Sequence, residues 1–220
     1  MSNKTSAHTR YYLKSGQRVP SVTTALSILH KPALLHWAWE QGLSGKDYRK
    51  VRDQFAEIGT LAHYLIMCHL KNITPDTSEY SANDIQAAQR CLEKYWQWEK
   101  EHPMTPVMIE QPMVSEKYRF GGTIDCLCNI QGSLVLVDYK TSKAIYDDHF
   151  CQLAAYVQLL NENGYSVSNA RILRIGRNPG EGFEERLMGN FAQQWLIFSH
   201  CLTIYNLKNK QDEIRVPDWF

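Results

Sequence analysis

The sequence predicts a layered α/β (α+β) domain: a central mixed β-sheet flanked by helices and preceded by a helical N-terminal region. Two observations carry this. The elements change type in the order helices, three strands, a helix, two strands and a last helix. At 220 residues and 44% hydrophobic content, the chain is also long enough for one sizeable core and too short for two full domains. The expected parts of this single domain (1–220) are a helical front region to about residue 104, a sheet core over about 105–188, and a C-terminal helix and tail over about 189–220.

In chain order, YYLKSGQRVPSV reads as two short extended pieces around Ser15-Gly16, stopped by Pro20. Ser21 is placed to cap a helix beginning VTTALSIL. KPALLHWAWEQG reads as a second helix, opened by Pro32 and closed by Gly42. From Tyr48 to about Lys71, apolar residues at Phe55, Ile58, Ala62, Leu65, Ile66 and Leu70 have the spacing of an amphipathic helix, and His63 lies beside that stripe. Ser81 caps a long helix from about Asn83 to Glu101, ended by Pro103. After Pro106 come the β-rich segments VMIEQPMV, FGGTIDCLCNI, SLVLVDYKT, ARILRIG and FEERLM, separated by Gly, Pro or Asn turns. DDHFCQLAAYVQLLNENG is the helix between the third and fourth strands, and FAQQWLIFSHCLTIYNLK reads as a final amphipathic helix.

Lys and Arg total 24 against 23 for Asp and Glu, which excludes a coat-like nucleic-acid binder and leaves a polyanion partner only a locally basic cleft. The cysteines at 68, 91, 126, 128, 151 and 201 form no CxxC pair and no Cys/His finger spacing, and no signal peptide is recognisable. Reduced, buried thiols in a cytoplasmic protein are the expectation. No apolar run reaches the roughly 18–20 residues that span a bilayer, so no membrane partner is expected.

The chemistry concentrates on two strands. Side chains alternate along a strand, so Leu134, Leu136, Asp138 and Lys140 share one face of SLVLVDYK while Val135, Val137 and Tyr139 share the other. On the preceding strand Asp125 shares its face with Leu127, and hairpin pairing would bring Asp125 towards Asp138. Two carboxylates converging at the rim of an apolar sheet repel one another unless a cation sits between them. Mg²⁺ is held by few carboxylates and keeps waters, and Mn²⁺ also accepts an imidazole, which His63 can supply. A lysine two residues beyond such an aspartate can orient an attacking water and stabilise charge on a phosphodiester's transition state.

These residues resemble the PD-(D/E)XK nuclease superfamily, in particular its RecB-like, phage-type exonuclease branch. The resemblance rests on G-G-T-I-D (121–125), D-Y-K-T-S (138–142) and Q-L-A-A-Y (152–156). It also rests on G-T-L-A-H (59–63) upstream, and the opening RVPSVTTALSILHKPALLHWAWEQG is similar to phage-type members. It implies a restriction-endonuclease-like core and a metal-dependent DNA exonuclease, the alternatives being a structure-specific endonuclease or nickase with the same site and a non-catalytic nuclease-derived DNA-binding module. His63, Asp125 and Asp138 would be ligands of Mg²⁺ or Mn²⁺, the Tyr139 carbonyl a fourth ligand, and Lys140 the catalytic lysine. Gln152 and Tyr156, four apart on one helix face, would lean towards the site to hold the lysine or the DNA backbone. Glu110 would reach a second metal. Thr141 and Ser142 would donate to phosphate oxygens. Arg49, Lys50, Arg52, Arg119 and Lys143 would line a DNA groove. Expected partners are DNA ends and a single-strand annealing or replication/recombination protein, in phage or prokaryotic DNA recombination, repair or processing.

The chain departs from the family in two respects. Aspartate stands before Tyr139-Lys140 where many members have glutamate, so the metal must sit closer to the strand. One cysteine, Cys201, lies near the C-terminus where the iron–sulfur subgroup has a cluster of three, so no iron–sulfur cluster is expected. Each piece alone has an ordinary explanation: a D-x-K at a strand end as a solvated turn, His63 as a boundary histidine. Their order on the right element types sets them apart. His69, His102 and His200 read as structural, and Trp37, Trp39, Trp96, Trp98 and Trp195 read mostly as core, being inside predicted helices with apolar neighbours.

Overall fold

The β-branched and aliphatic segments that follow Pro103 pair into one five-stranded sheet in the order β3-β4-β5-β6-β7. The structure, a computed structural model, describes residues 9–209; the parts of the expected domain at 1–8 and 210–220 lie outside the described residues. The strands are β3 (Met104–Ser115), β4 (Phe120–Ile130), β5 (Ser133–Lys140), β6 (Asn169–Ile175) and β7 (Phe183–Met188). β3, β4 and β5 are antiparallel neighbours, β5 and β6 run parallel, and β6 and β7 are antiparallel, so the mixed sheet is as expected. The parallel step is crossed by α5 (Asp147–Glu162), because parallel strands need a long connection. β4 and β5 meet at Gln131-Gly132, whose consecutive positive φ values of 50° and 83° make the tight turn that matches strand twist.

Helices cover both faces. α1 (Val22–Leu26), α5 and α6 (Ala192–Asn209) pack with Phe120, Ile124, Leu127, Leu136 and Ile172 on one side. α3 (Tyr48–Leu70) and α4 (Ala82–Glu101) pack with Cys126, Cys128, Val135, Val137, Tyr139 and Leu173 on the other. A small hairpin, β1 (Tyr11–Tyr12) with β2 (Arg18–Val19), is tied to β4 by the Gly121 amide donating to the Pro20 carbonyl at 3.0 Å. Ser21 and Ser81 cap α1 and α4, accepting from the amides of Thr24 and Asp84.

Several expectations change. α2 (Pro32–Leu43) runs through Gly42, and the left-handed residue that ends it is Gly45 at φ +68°. α2 has no buried residue, and Trp39 is 59% exposed, as Trp96 is 39% exposed on α4. Trp98 is buried, while Trp37 and Trp195 are half-buried. The helix stripe of α2 therefore does not face a core. β3 extends across Pro106 and Pro112, which an edge strand tolerates because one side of its ladder is unpaired. α6 is not amphipathic in the expected sense: Phe198, Cys201 and Leu202 face the core, but Leu196, Ile204 and Leu207 are exposed on other sides. The alternation on β4 also breaks. Ile124 and Leu127 pack on the same side of the sheet while Cys126 packs on the other, so the strand turns over at Asp125.

Candidate active site

The break in β4 builds the site. The β4–β5 ladder runs from Ile130–Ser133 to Cys126–Val137 and stops there, so Asp125 and Asp138 are not a paired rung. Beyond that point the Asp125 side chain takes over from the backbone: the Tyr139 amide N–H donates to its Oδ2 at 2.9 Å. On the other side of β4 the β3 ladder passes from Ile109–Cys126 to Gln111–Ile124, and Glu110 between them has φ +50°. A left-handed backbone on a non-glycine residue inside a strand costs about 1–3 kcal/mol and clusters at functional sites.

Around this opening three ligand-type atoms gather. His63, within the buried stretch of α3, places Nδ1 3.7 Å from Asp125 Oδ2 and 3.8 Å from Glu110 Oε1. The donor atoms of His63, Glu110 and Asp125 lie within 4.8 Å of one another. Asp138 is fully buried, ion-paired with Lys140 through Oδ2, and its Oδ1 accepts no hydrogen bond among the described residues. The edge of the Tyr139 ring meets the imidazole of His63, centroids 5.7 Å apart, and so helps to hold it.

The electrostatics are those of a cation site. Burial raises the pKa of Asp125, with Glu110 adding to it and His63 and Lys140 opposing. Burial also raises Asp138, with Asp125 adding and Lys140 opposing. Burial would depress His63, but the Asp125 and Glu110 carboxylates outweigh it and push the imidazole up to about 9. The carboxylates of Asp125, Asp138 and Glu110 thus face a single ammonium, Lys140, and recruit a proton onto His63 to offset one another. An orphaned Asp138 oxygen and a hard carboxylate and imidazole donor set fit a divalent Mg²⁺ or Mn²⁺.

The remaining expected residues fall as follows. Gln152 Nε2 donates to the Tyr156 hydroxyl at 2.7 Å, and Tyr156 is buried, with Asp138 and Asp125 both in its electrostatic surroundings. Thr141 lines a cavity that also borders His63 and Glu110. The Ser142 hydroxyl donates to the Ala144 carbonyl at 2.7 Å, inside its own turn. Lys143 is exposed. Arg119 sits at the β3–β4 turn, bonded to Gln17, and Arg52 is exposed and ion-paired with Asp53 at 2.7 Å. Arg49 and Lys50 are exposed in the first turn of α3. His69 and His102 pair with Glu99 and Glu185 elsewhere.

Other residues at the site were not apparent from sequence. Tyr11 lies over Gly121 and its hydroxyl bonds Thr123 Oγ1 at 2.8 Å, with Glu110 and Asp125 both within its electrostatic reach. Lys31 pairs with Asp148 at 2.6 Å. His149, at the start of α5, accepts from the Tyr146 amide at 3.3 Å; burial and then Lys140 drive its pKa down to about 4. A tyrosine ten positions into the chain carries no signal for such a place, since only the packing of β1 on β4 puts it there.

A mixed sheet whose antiparallel ladder opens around carboxylates, with a lysine on the same strand end and an imidazole from a facing helix, is a candidate metal centre. A family model for the PD-(D/E)XK nuclease superfamily matches residues 6–212, and the chain belongs to that superfamily of metal-dependent nucleases. No curated protein sequence matches it significantly. Among solved structures, the crystal structure of SSO0001 is similar over 70% of this chain and 75% of that one, at 14% identity and a TM-score of 0.36. Among the described residues no helix is long and apolar enough to cross a membrane.

Proposed function

We propose that the protein is a DNA exonuclease of the RecB-like kind, hydrolysing phosphodiester bonds from DNA ends. The observation that carries the nuclease chemistry is the gathering of His63, Glu110 and Asp125 beside the buried Asp138–Lys140 pair. In this reading His63, Asp125, Asp138 and Glu110 hold Mg²⁺ or Mn²⁺. The Tyr139 carbonyl joins them, because within a strand a residue's C=O leans to the same side as its N–H, and that N–H already meets Asp125. When bound, the ion supplies Lewis acidity and lowers the pKa of a water. Lys140 orients the attacking water and neutralises charge building on the phosphate oxygens, Thr141 donates to phosphate, and Gln152 keeps Tyr156 fixed against β4. Lys143, Arg52, Arg119 and Ser142 belong to the wider DNA-facing surface in this proposal.

The preference for ends is supported by the course of the front region. α1 packs on the α5 side of the sheet and α3 on the other, so the connection that contains α2 passes from one layer to the other. Lys31 at its start is anchored to Asp148 beside the N-terminus of α5, next to the end of the lysine-bearing strand. An exposed helix in this connection, with no residue buried in the core, would offer a wall along which a strand end is threaded. The test compares linear with covalently closed circular DNA of the same sequence in Mg²⁺ and in Mn²⁺. The linear form should be degraded and the circle left intact; cutting of circles at a comparable rate would make the protein an endonuclease using the same site.

A further inference from the structure

The cavity beside the carboxylate cluster has a volume of about 690 Å³, far more than an ion and its waters fill and within the range of small-molecule sites. Its lining combines the polar groups of Thr9, Thr60, His63, Glu110 and Thr141 with Phe55, Tyr64 and Met67. The α3 part of the lining follows from helix geometry: Phe55, Gly59, His63 and Met67 recur every four residues and share one face of α3. The Phe55 ring therefore stands about two turns before the imidazole on that face and the Met67 thioether about one turn after it. At Gly59 the helix approaches the end of β5 so closely that a Cβ would stand 2.8 Å from Thr141 Oγ1.

Phe55 is held from behind. The Arg177 guanidinium lies 4.2 Å from its ring centroid, Nη1 donates to the Phe55 carbonyl at 3.3 Å, and Arg177 itself is only 8% exposed. Tyr64 is fixed as well, its hydroxyl accepting from the Asp76 amide at 3.1 Å. An aromatic ring immobilised before its ligand arrives loses little freedom on stacking. A ligand suited to this cavity is flat, has apolar faces, and carries its anionic group beside Glu110 and His63 only when a cation is there to meet it.

We propose that this cavity is a nucleobase subsite, taking the base of one unpaired nucleotide adjacent to the scissile phosphate and stacking it on Phe55. The inference rests on the nuclease reading and narrows its substrate to DNA unpaired at the point of cleavage, because a base inside a duplex cannot reach such a pocket without leaving the stack. The apolar walls read no base identity, so the subsite tolerates every sequence.

The test uses end-labelled single-stranded oligodeoxynucleotides in Mg²⁺, either intact or with one abasic nucleotide immediately 5′ or 3′ of the first bond cleaved. For the wild-type protein, an abasic unit on one of these two sides should lower kcat/KM by roughly five- to a hundredfold, the size of one base–aromatic stack. Phe55→Ala should lose a similar factor on the intact strand and no longer distinguish it from the abasic one, while Phe55→Tyr should keep the distinction. Equal kcat/KM for intact and abasic strands in the wild type would overturn the proposal, and this comparison needs no variant to fold. A Phe55→Ala protein that still prefers the intact strand would overturn it too. If the single strands resist while a linear duplex of the same sequence is degraded, the subsite falls and the nuclease reading stands; if neither is cleaved, both fall.

Discussion

Gly122→Ala tests how Tyr156 is placed, and the expected cost can be worked from the close approach of β4 to α5. A Cβ at position 122 would stand 2.5 Å from Tyr156 Cε1, 3.1 Å from its Cδ1 and 3.2 Å from Leu159 Cδ1. The Tyr156 ring cannot swing away, since it is 5% exposed among core residues and its hydroxyl is bonded to Gln152. Overpacking of this kind costs about 1–3 kcal/mol. At about 2–4 °C per kcal/mol for a chain of this size, Tm should fall by about 2–12 °C. Because Asp138 and Asp125 both lie in the electrostatic surroundings of the Tyr156 phenol, a displacement near 1 Å should also lower kcat by up to about a hundredfold. Urea unfolding and cleavage rates, measured well below both Tm values, read the two effects. In a Tyr156→Ala background only the milder 3.2 Å approach to Leu159 Cδ1 remains, so most of the stability cost should vanish, giving a coupling of about 1–3 kcal/mol. Strictly additive costs would refute the proposed contact.

In EDTA, His63 has a folded pKa of about 9, above its ordinary 6.5. Its contribution to stability is therefore complete below the unfolded value and lost as pH rises through about 9. The Tm advantage of wild type over His63→Gln should accordingly shrink between pH 6 and pH 10, and a constant difference would argue against the His63–Asp125–Glu110 cluster. The same proton must leave when an ion takes the imidazole, so titration calorimetry with Mn²⁺ in buffers of different ionisation enthalpy should report proton release at pH 7.5. Glu110→Gln should reduce the Mn²⁺-induced rise in Tm: each tenfold loss of affinity removes about 1.4 kcal/mol at saturating ion, or about 3–6 °C. An undiminished rise would remove Glu110 from the ligand set.

The parts of the site that could be read directly are those that depend on local periodicity. Asp138 and Lys140 interrupt an apolar strand at positions of the same parity, and His63 sits beside a helical stripe, so their faces follow from spacing alone. The Gln131-Gly132 turn and the serine caps of α1 and α4 are likewise local chemistry. What stayed hidden depends on tertiary geometry. Alternation places Asp125 with Leu127 and opposite Ile124, but β4 turns over at Asp125, so Ile124 and Leu127 share a side. No residue pattern announces a left-handed backbone at Glu110, and that conformation accompanies the carboxylate's approach to His63. Hairpin counting would pair Asp125 with Asp138, whereas the ladder opens just before them and Lys140 takes Asp138 as its partner. α2 has the composition of a buried helix and lies outside the core, because burial depends on what the rest of the chain leaves to be covered. Arg177 reaches Phe55 across 122 positions, a contact with no local signature.

The proposed divalent-ion site of His63, Glu110, Asp125 and Asp138, with Lys140 assisting phosphodiester cleavage, makes activity depend on both the ion and the lysine. This dependence is tested most directly by incubating end-labelled DNA with wild-type protein and with Lys140→Ala, each in Mg²⁺, Mn²⁺ or EDTA, and measuring product alongside the ion-induced change in Tm. The account predicts cleavage by wild type with either ion and none in EDTA. It also predicts at least about a hundredfold slower cleavage by Lys140→Ala, the scale of removing one transition-state donor, with ion-induced stabilisation retained. Cleavage that survives EDTA, or a Lys140→Ala protein that turns over at the wild-type rate, would contradict it.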